Sequence, residues 1–136
     1  MAREIRVQGA TLREAFAEAA LRVFALAVDP ALVRPREVRE VRAHGSSLGA
    51  LLGQWIAECS YVHEIEGFVC HAIEFAVFDV EPGPGGEPMR LHAFLRGEAV
   101  SAERLQLGEA RPVVIARENP IGATADGYEI HLTVQD

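Results

Sequence analysis

Hydrophobic and polar residues alternate along several stretches of this chain, and elsewhere they recur at three- and four-residue intervals. Arg3 to Gln8 alternates, with Ile5 and Val7 on one side and Arg6 and Gln8 on the other, which predicts a strand. Gly9-Ala10 turns the chain. Leu12, Phe16, Ala19, Ala20, Val23, Phe24 and Ala27 then form one broad apolar face, which predicts a helix. Thr11 with Glu14 three residues later makes a capping box at its start. Asp29-Pro30 is the expected end, because the residue before proline avoids helical angles. Val38 to Ala43 is a weaker strand pattern, whose two valines stand three apart and so fall on opposite faces. Ser46 or Ser47 caps a second helix, in which Leu48, Leu51, Leu52, Trp55, Ile56 and Cys59 share one side.

Gly67 closes an acidic turn, and Phe68 to Val80 follows as a long strand. Val69, His71, Ile73, Phe75 and Val77 would line one face of it, and Cys70, Ala72, Ala76 and Phe78 the other. An apolar pattern on both faces predicts a central strand covered on both sides. Glu81 to Pro88 is a turn-rich loop leading to a strand over Met89 to Arg96, with Leu91, Ala93 and Leu95 facing in. A polar stretch, Gly97 to Ala110, precedes a strand at Val113 to Ala116. The last strand, Tyr128 to Val134, points Tyr128, Ile130, Leu132 and Val134 inward and Glu129, His131 and Thr133 outward. No repeat, low-complexity tract or linker interrupts this order. The expected fold class is α+β, two helices packed on a largely antiparallel β-sheet, in a single domain over 1–136.

Composition narrows the function. The chain has 136 residues, 49% of them hydrophobic, enough for one core without disulfides or metals. No apolar run approaches the ~20 residues needed to cross a bilayer, and Arg3, Glu4 and Arg6 interrupt any signal-peptide centre. A cytoplasmic protein without membrane contact is expected. Thirteen basic against twenty acidic residues give a formal charge of −7, which argues against general nucleic-acid binding through phosphate backbones. Arg34, Arg36, Arg39 and Arg42 form a local basic run, but Glu37 and Glu40 are interleaved with them, so a self-neutralising solvated strand is expected. All thirteen cations are arginine, which excludes lysine Schiff bases and a P-loop lysine. Cys59 and Cys70 read as two buried thiols rather than a CxxC pair or a disulfide framework.

Candidate chemistry is sparse. Gly45-Ser46-Ser47-Leu48-Gly49 matches G-x-S-x-G between a strand and a helix, and Asp79 or Asp126 followed by His131 would complete a triad in order. The chain is too short for an α/β-hydrolase, however, and a serine there also caps a helix without any chemistry. His63-Glu64 lacks the histidine that a zincin helix requires. His71 is expected as a hydrogen-bonded core histidine. His92 and His131 fall on outward strand faces, and with Glu74 they would offer metal ligands if their strands were neighbours. Three prolines in the 81–88 loop remove amide donors, so a hairpin turn is expected there rather than a phosphate cradle.

One run stands apart, Trp55-Ile-Ala-Glu-Cys-Ser-Tyr61-Val-His-Glu-Ile-Glu66-Gly67-Phe-Val69. Together with Gly9-Ala-Thr11-Leu-Arg-Glu14-Ala-Phe16, Gly97-Glu98 and Glu103-Arg104, it resembles the archease family in order and spacing over nearly the whole chain. The resemblance implies that family's α+β fold. It also implies a non-catalytic role: assisting the guanylylation and turnover of an RtcB-type RNA-splicing ligase in tRNA splicing or RNA repair. It further implies a divalent metal such as calcium, held by acidic residues of a D-H-T-A-D segment before the first strand and by a near-terminal aspartate. Counted without gaps, the last aspartate of that segment falls on Ala2 and the near-terminal one on Gln135, with Asp136 one position further. The family's K-A-x-T-Y-H motif reads Pro112-Val-Val-Ile-Ala-Arg117 here. No metal ligand, cofactor site or catalytic residue is assigned. Two other readings stay open: a scaffold module that kept the fold without the ligase role, and a small hydrolase using Ser47 or the histidines.

Overall fold

In the computed structural model of the chain, residues 2–26, 28–81, 84–99 and 113–135 are described. Among them the order is β1 (Ala2–Gly9), α1 (Leu12–Ala25), a 3₁₀ turn (Pro30–Leu32), β2 (Glu37–Gly45), α2 (Leu48–Glu66), β3 (Phe68–Asp79), β4 (Met89–Ala99), β5 (Val113–Thr124) and β6 (Gly127–Gln135). The class is α+β as expected, and the antiparallel strands divide into two three-stranded sheets, ordered β1-β6-β5 and β2-β4-β3. Each helix touches both sheets: α1 lies against β1, β6 and β3, and α2 against β2, β3, β4 and β5. The apolar faces of both sheets therefore meet the helices in one core, which joins Ile5 and Val7 of β1, Leu91, Ala93 and Leu95 of β4 and Ile130, Leu132 and Val134 of β6.

Local chemistry sets where the helices begin and end. The Thr11 hydroxyl accepts from the Glu14 amide at 3.1 Å. The reciprocal Glu14 carboxylate accepts from Ala10 rather than Thr11, so the box reaches one residue further back than its usual form. α1 stops at Ala25, short of Asp29-Pro30. Val28 leaves the helix to join Val33 and Val69 in a small second cluster, while Asp29 Oδ1 takes the Ala31 amide and starts the 3₁₀ turn. Ser47 caps α2 through the Ala50 amide. The acidic segment is the last turn of α2 rather than a separate turn. Gly67 ends it with φ 66°, the left-handed conformation that glycine adopts without steric cost.

β3 departs from the sequence pattern. It is an edge strand, and β4 is the central one. Two irregularities, at Cys70/Ala72 and Phe75/Val77, each reset the alternation, so the apolar residues that seemed to cover two faces largely follow one corrected face. His71 is exposed there, not in the core. β5 is longer than the expected Val113–Ala116, running to Thr124 with its own irregularity between Ala116 and Ile121. Gly97 marks the tightest approach, since a Cβ there would stand 1.9 Å from the Val69 carbonyl oxygen. Gly67→Ala, strained only by its backbone angle, should cost about 1–2 kcal/mol. Gly97→Ala must displace backbone and should cost about 1–3 kcal/mol or more. Urea denaturation midpoints for the two variants check the ranking.

Candidate functional site

Antiparallel pairing brings the starts of β1 and β5 and the finish of β6 to one end of the molecule. Ala2 pairs with Gln135, which pairs in turn with Val113. In the other sheet the same end holds the starts of β2 and β3 and the finish of β4, through Glu37 opposite Gly97 and Phe68 opposite Ala99. Phe24 joins the halves: its ring meets Phe68 edge-on at 6.4 Å and His63 at 6.2 Å, while His63 Nδ1 donates to the Phe68 carbonyl at 3.0 Å.

Among the described residues Glu98 is the buried charged side chain, 6% exposed. Its alternation parity points it outward, yet the segment between the 3₁₀ turn and β2 folds over it. The Arg34 amide donates to Glu98 Oε2 at 2.5 Å, and the Arg36 amide to the Gly97 carbonyl at 2.9 Å. Glu37 answers by accepting from the Ala99 amide at 2.9 Å. That amide, and after it the Arg39 guanidinium, holds the Glu37 carboxyl below its ordinary value. Arg39 also bonds Glu66 at 2.8 Å and lies 5.0 Å over the Phe68 ring, tying the end of α2 to β2. Of the four arginines in this run, Arg39 pairs with Glu37 and Glu66, and Arg42 with Glu40 at 3.0 Å. Sequence reasoning missed Glu98 as a structural residue. The paired Gly97-Glu98 was its only local signal.

The other candidates are not assembled. His92 and His131 stand on β4 and β6, in different sheets. His131 Nδ1 is 2.5 Å from Glu4 Oε1, whereas Glu74 pairs with Arg96 at 3.3 Å. Among the described residues no group of three or more His, Cys, Asp or Glu could hold a metal ion. Ser47 Oγ is engaged as a helix cap. Cys59 and Cys70 are buried as expected. Burial raises both thiols, that of Cys70 to about 12, so neither is a thiolate near neutral pH.

The archease protein family (MTH1598/TM1083) matches residues 3–114. The chain belongs to the archease family. It is 32% identical over 123 residues to protein archease of Thermococcus gammatolerans, covering 90% of this chain and 83% of that one. It is 31% identical over 132 residues to protein archease of Pyrococcus abyssi, covering 97% and 89%. The solution structure of Methanobacterium thermoautotrophicum protein 1598 has the same fold, with a TM-score of 0.70 at 18% identity over 99% of this chain and 91% of that one. The family match stops at Val114, close to where Pro112 to Arg117 departs from the late archease motif.

Position 2 and position 135, which archease resemblance makes the anchors of a divalent ion, are direct cross-strand partners. Gap-free counting therefore brings them to one place, but the residues there do not fit the ion. Ala2 offers no side-chain oxygen and Gln135 a single uncharged amide oxygen, whereas a hard dication takes several oxygens, carboxylates among them. Glu103, Arg104 and Asp136 lie outside the described residues. At this end the Glu98→Ala variant, which leaves the Arg34 amide without its acceptor, should lose roughly 1–3 kcal/mol of stability. Glu98→Gln keeps an acceptor oxygen and should lose distinctly less, as thermal or urea unfolding would show.

Proposed function

We propose that this chain assists an RtcB-type RNA-splicing ligase by protein contact, supporting the ligase's guanylylation and turnover in tRNA splicing or RNA repair, and performs no chemistry of its own. Membership of the archease family carries this reading. Two features of the molecule support it. Ser47 and the histidines serve as a helix cap and in separate polar contacts, so nothing among the described residues forms a reactive set. In addition, the exposed large hydrophobics are Leu32, Val38, Tyr61 and Ile65. Leu32 and Val38 lie on the 3₁₀ turn and the first part of β2, and Tyr61 and Ile65 stand four apart on the last turns of α2. An exposed apolar pair on one helix suits a partner's surface, and the net charge of −7 suits a protein partner better than an RNA backbone.

Adding the chain to its own organism's RNA ligase should raise the rate of repeated turnovers. Tyr61→Ala combined with Ile65→Ala should weaken that gain without changing the melting temperature, since both side chains are exposed. Ser47→Ala should lower helix stability by about 1 kcal/mol and leave the gain intact. No gain in turnover at equimolar protein would leave the scaffold reading in its place.

A further inference from the structure

The opposite end of the molecule carries a different feature. On the outer face of the β2-β4-β3 sheet, Arg42 stands directly opposite His92, and His44 directly opposite Arg90. Cross-strand neighbours of this kind have Cβ atoms roughly 5 Å apart. The sheet brings these four side chains around one cavity of about 380 Å³, with Val77 and Pro88 supplying an apolar wall.

The nearby carboxylates only partly offset them. Glu40 holds Arg42 at 3.0 Å in an exposed pair, and its Oε1 lies 2.5 Å from His92 Nε2. Glu40 thus lies between Arg42 and His92, and Nε2, which makes no hydrogen bond, faces that carboxylate. Asp79 is the cross-strand neighbour of Arg90, but it accepts from the Glu81 amide instead. Neither the Arg90 guanidinium nor the His44 imidazole has an ion pair with a described residue. Beside the cavity the rings of His92 and Phe94 lie 5.0 Å apart, tilted by 42°.

We propose that this cavity binds a terminal phosphate monoester, with the sugar and base of a nucleotide against the Val77–Pro88 wall. Two guanidiniums and two imidazoles supply the forked and single donors that three phosphate oxygens require. The Glu40–Arg42 pair is exposed and exchangeable. One phosphate held by side chains is compatible with an acidic chain that has no tract of cations for a polyanion. The site is separated from the Glu98 end by the length of the sheet and does not depend on the ligase reading.

Titration of the isotope-labelled chain with AMP, followed by amide chemical shifts, tests this directly. Saturable shifts are expected around Arg42, His44, Arg90 and His92, and none with adenosine. Arg90→Gln should weaken AMP binding roughly tenfold or more through loss of a charge-assisted bond. Arg96→Gln removes an equal charge from the same face outside the cavity and should leave binding unchanged. Both residues are exposed, and unshifted core resonances would confirm that each variant folds. The site is overturned if AMP fails to saturate, if adenosine binds equally, or if the two variants behave alike. A 5′-phosphorylated dinucleotide that binds as AMP does, while its 5′-hydroxyl form does not, would assign the phosphate to an RNA end. Exclusion of both dinucleotides would assign it to a free nucleotide. The site stands in either case.

Discussion

The indole of Trp55 is fully enclosed, and a buried N–H must find an acceptor or carry a desolvation cost. It finds one in the carbonyl of Phe16, 2.9 Å away on the other helix. That bond fixes the spacing of α1 and α2. The aromatic group around it extends the constraint into β3: Phe75 lies 5.4 Å from Trp55, and Phe78 stands edge-on to Phe16 at 5.1 Å. Because each helix packs on both sheets, the relative placement of the two sheets follows from this contact. Ala15, Ala19 and Ala20 present no bulk on the buried side of α1 and so allow the close approach.

How much of this was legible depends on whether the controlling interaction was local. Leu91, Ala93 and Leu95, or Ile130, Leu132 and Val134, are buried as their alternation says, because period two holds wherever a strand runs without irregularity. A serine cap on α2 was legible for the same reason, since a hydroxyl three residues before its amide is a local relation, and the structure selects Ser47 over Ser46. β3 was misread because a bulge shifts the side-chain faces without leaving a mark in the composition. The early end of α1 was missed because Val28 finds its partners in a strand far along the chain. Glu98 was missed most completely. Its parity is that of a solvated residue, and the amide that buries it belongs to Arg34, 64 positions earlier.

The same division applies to function. Family membership was readable from an ordered set of short motifs in which no piece is decisive alone. The metal question was readable only as a count, and the strand register gives the count its meaning by placing positions 2 and 135 opposite one another. The fold pairs the two positions where archease resemblance puts an ion, and Ala2 and Gln135 bring no carboxylate to it. The described surface carries exposed apolar side chains on the 3₁₀ turn, β2 and α2, and arginine and histidine on the outer face of the β2-β4-β3 sheet.

That account turns on whether a divalent ion contributes to the folded state. Differential scanning calorimetry of the full chain, with and without millimolar calcium at neutral pH, measures this most directly, because any ligand that binds the native form raises its melting temperature. The two melting curves are predicted to coincide. A rise that saturates with calcium concentration would contradict the account.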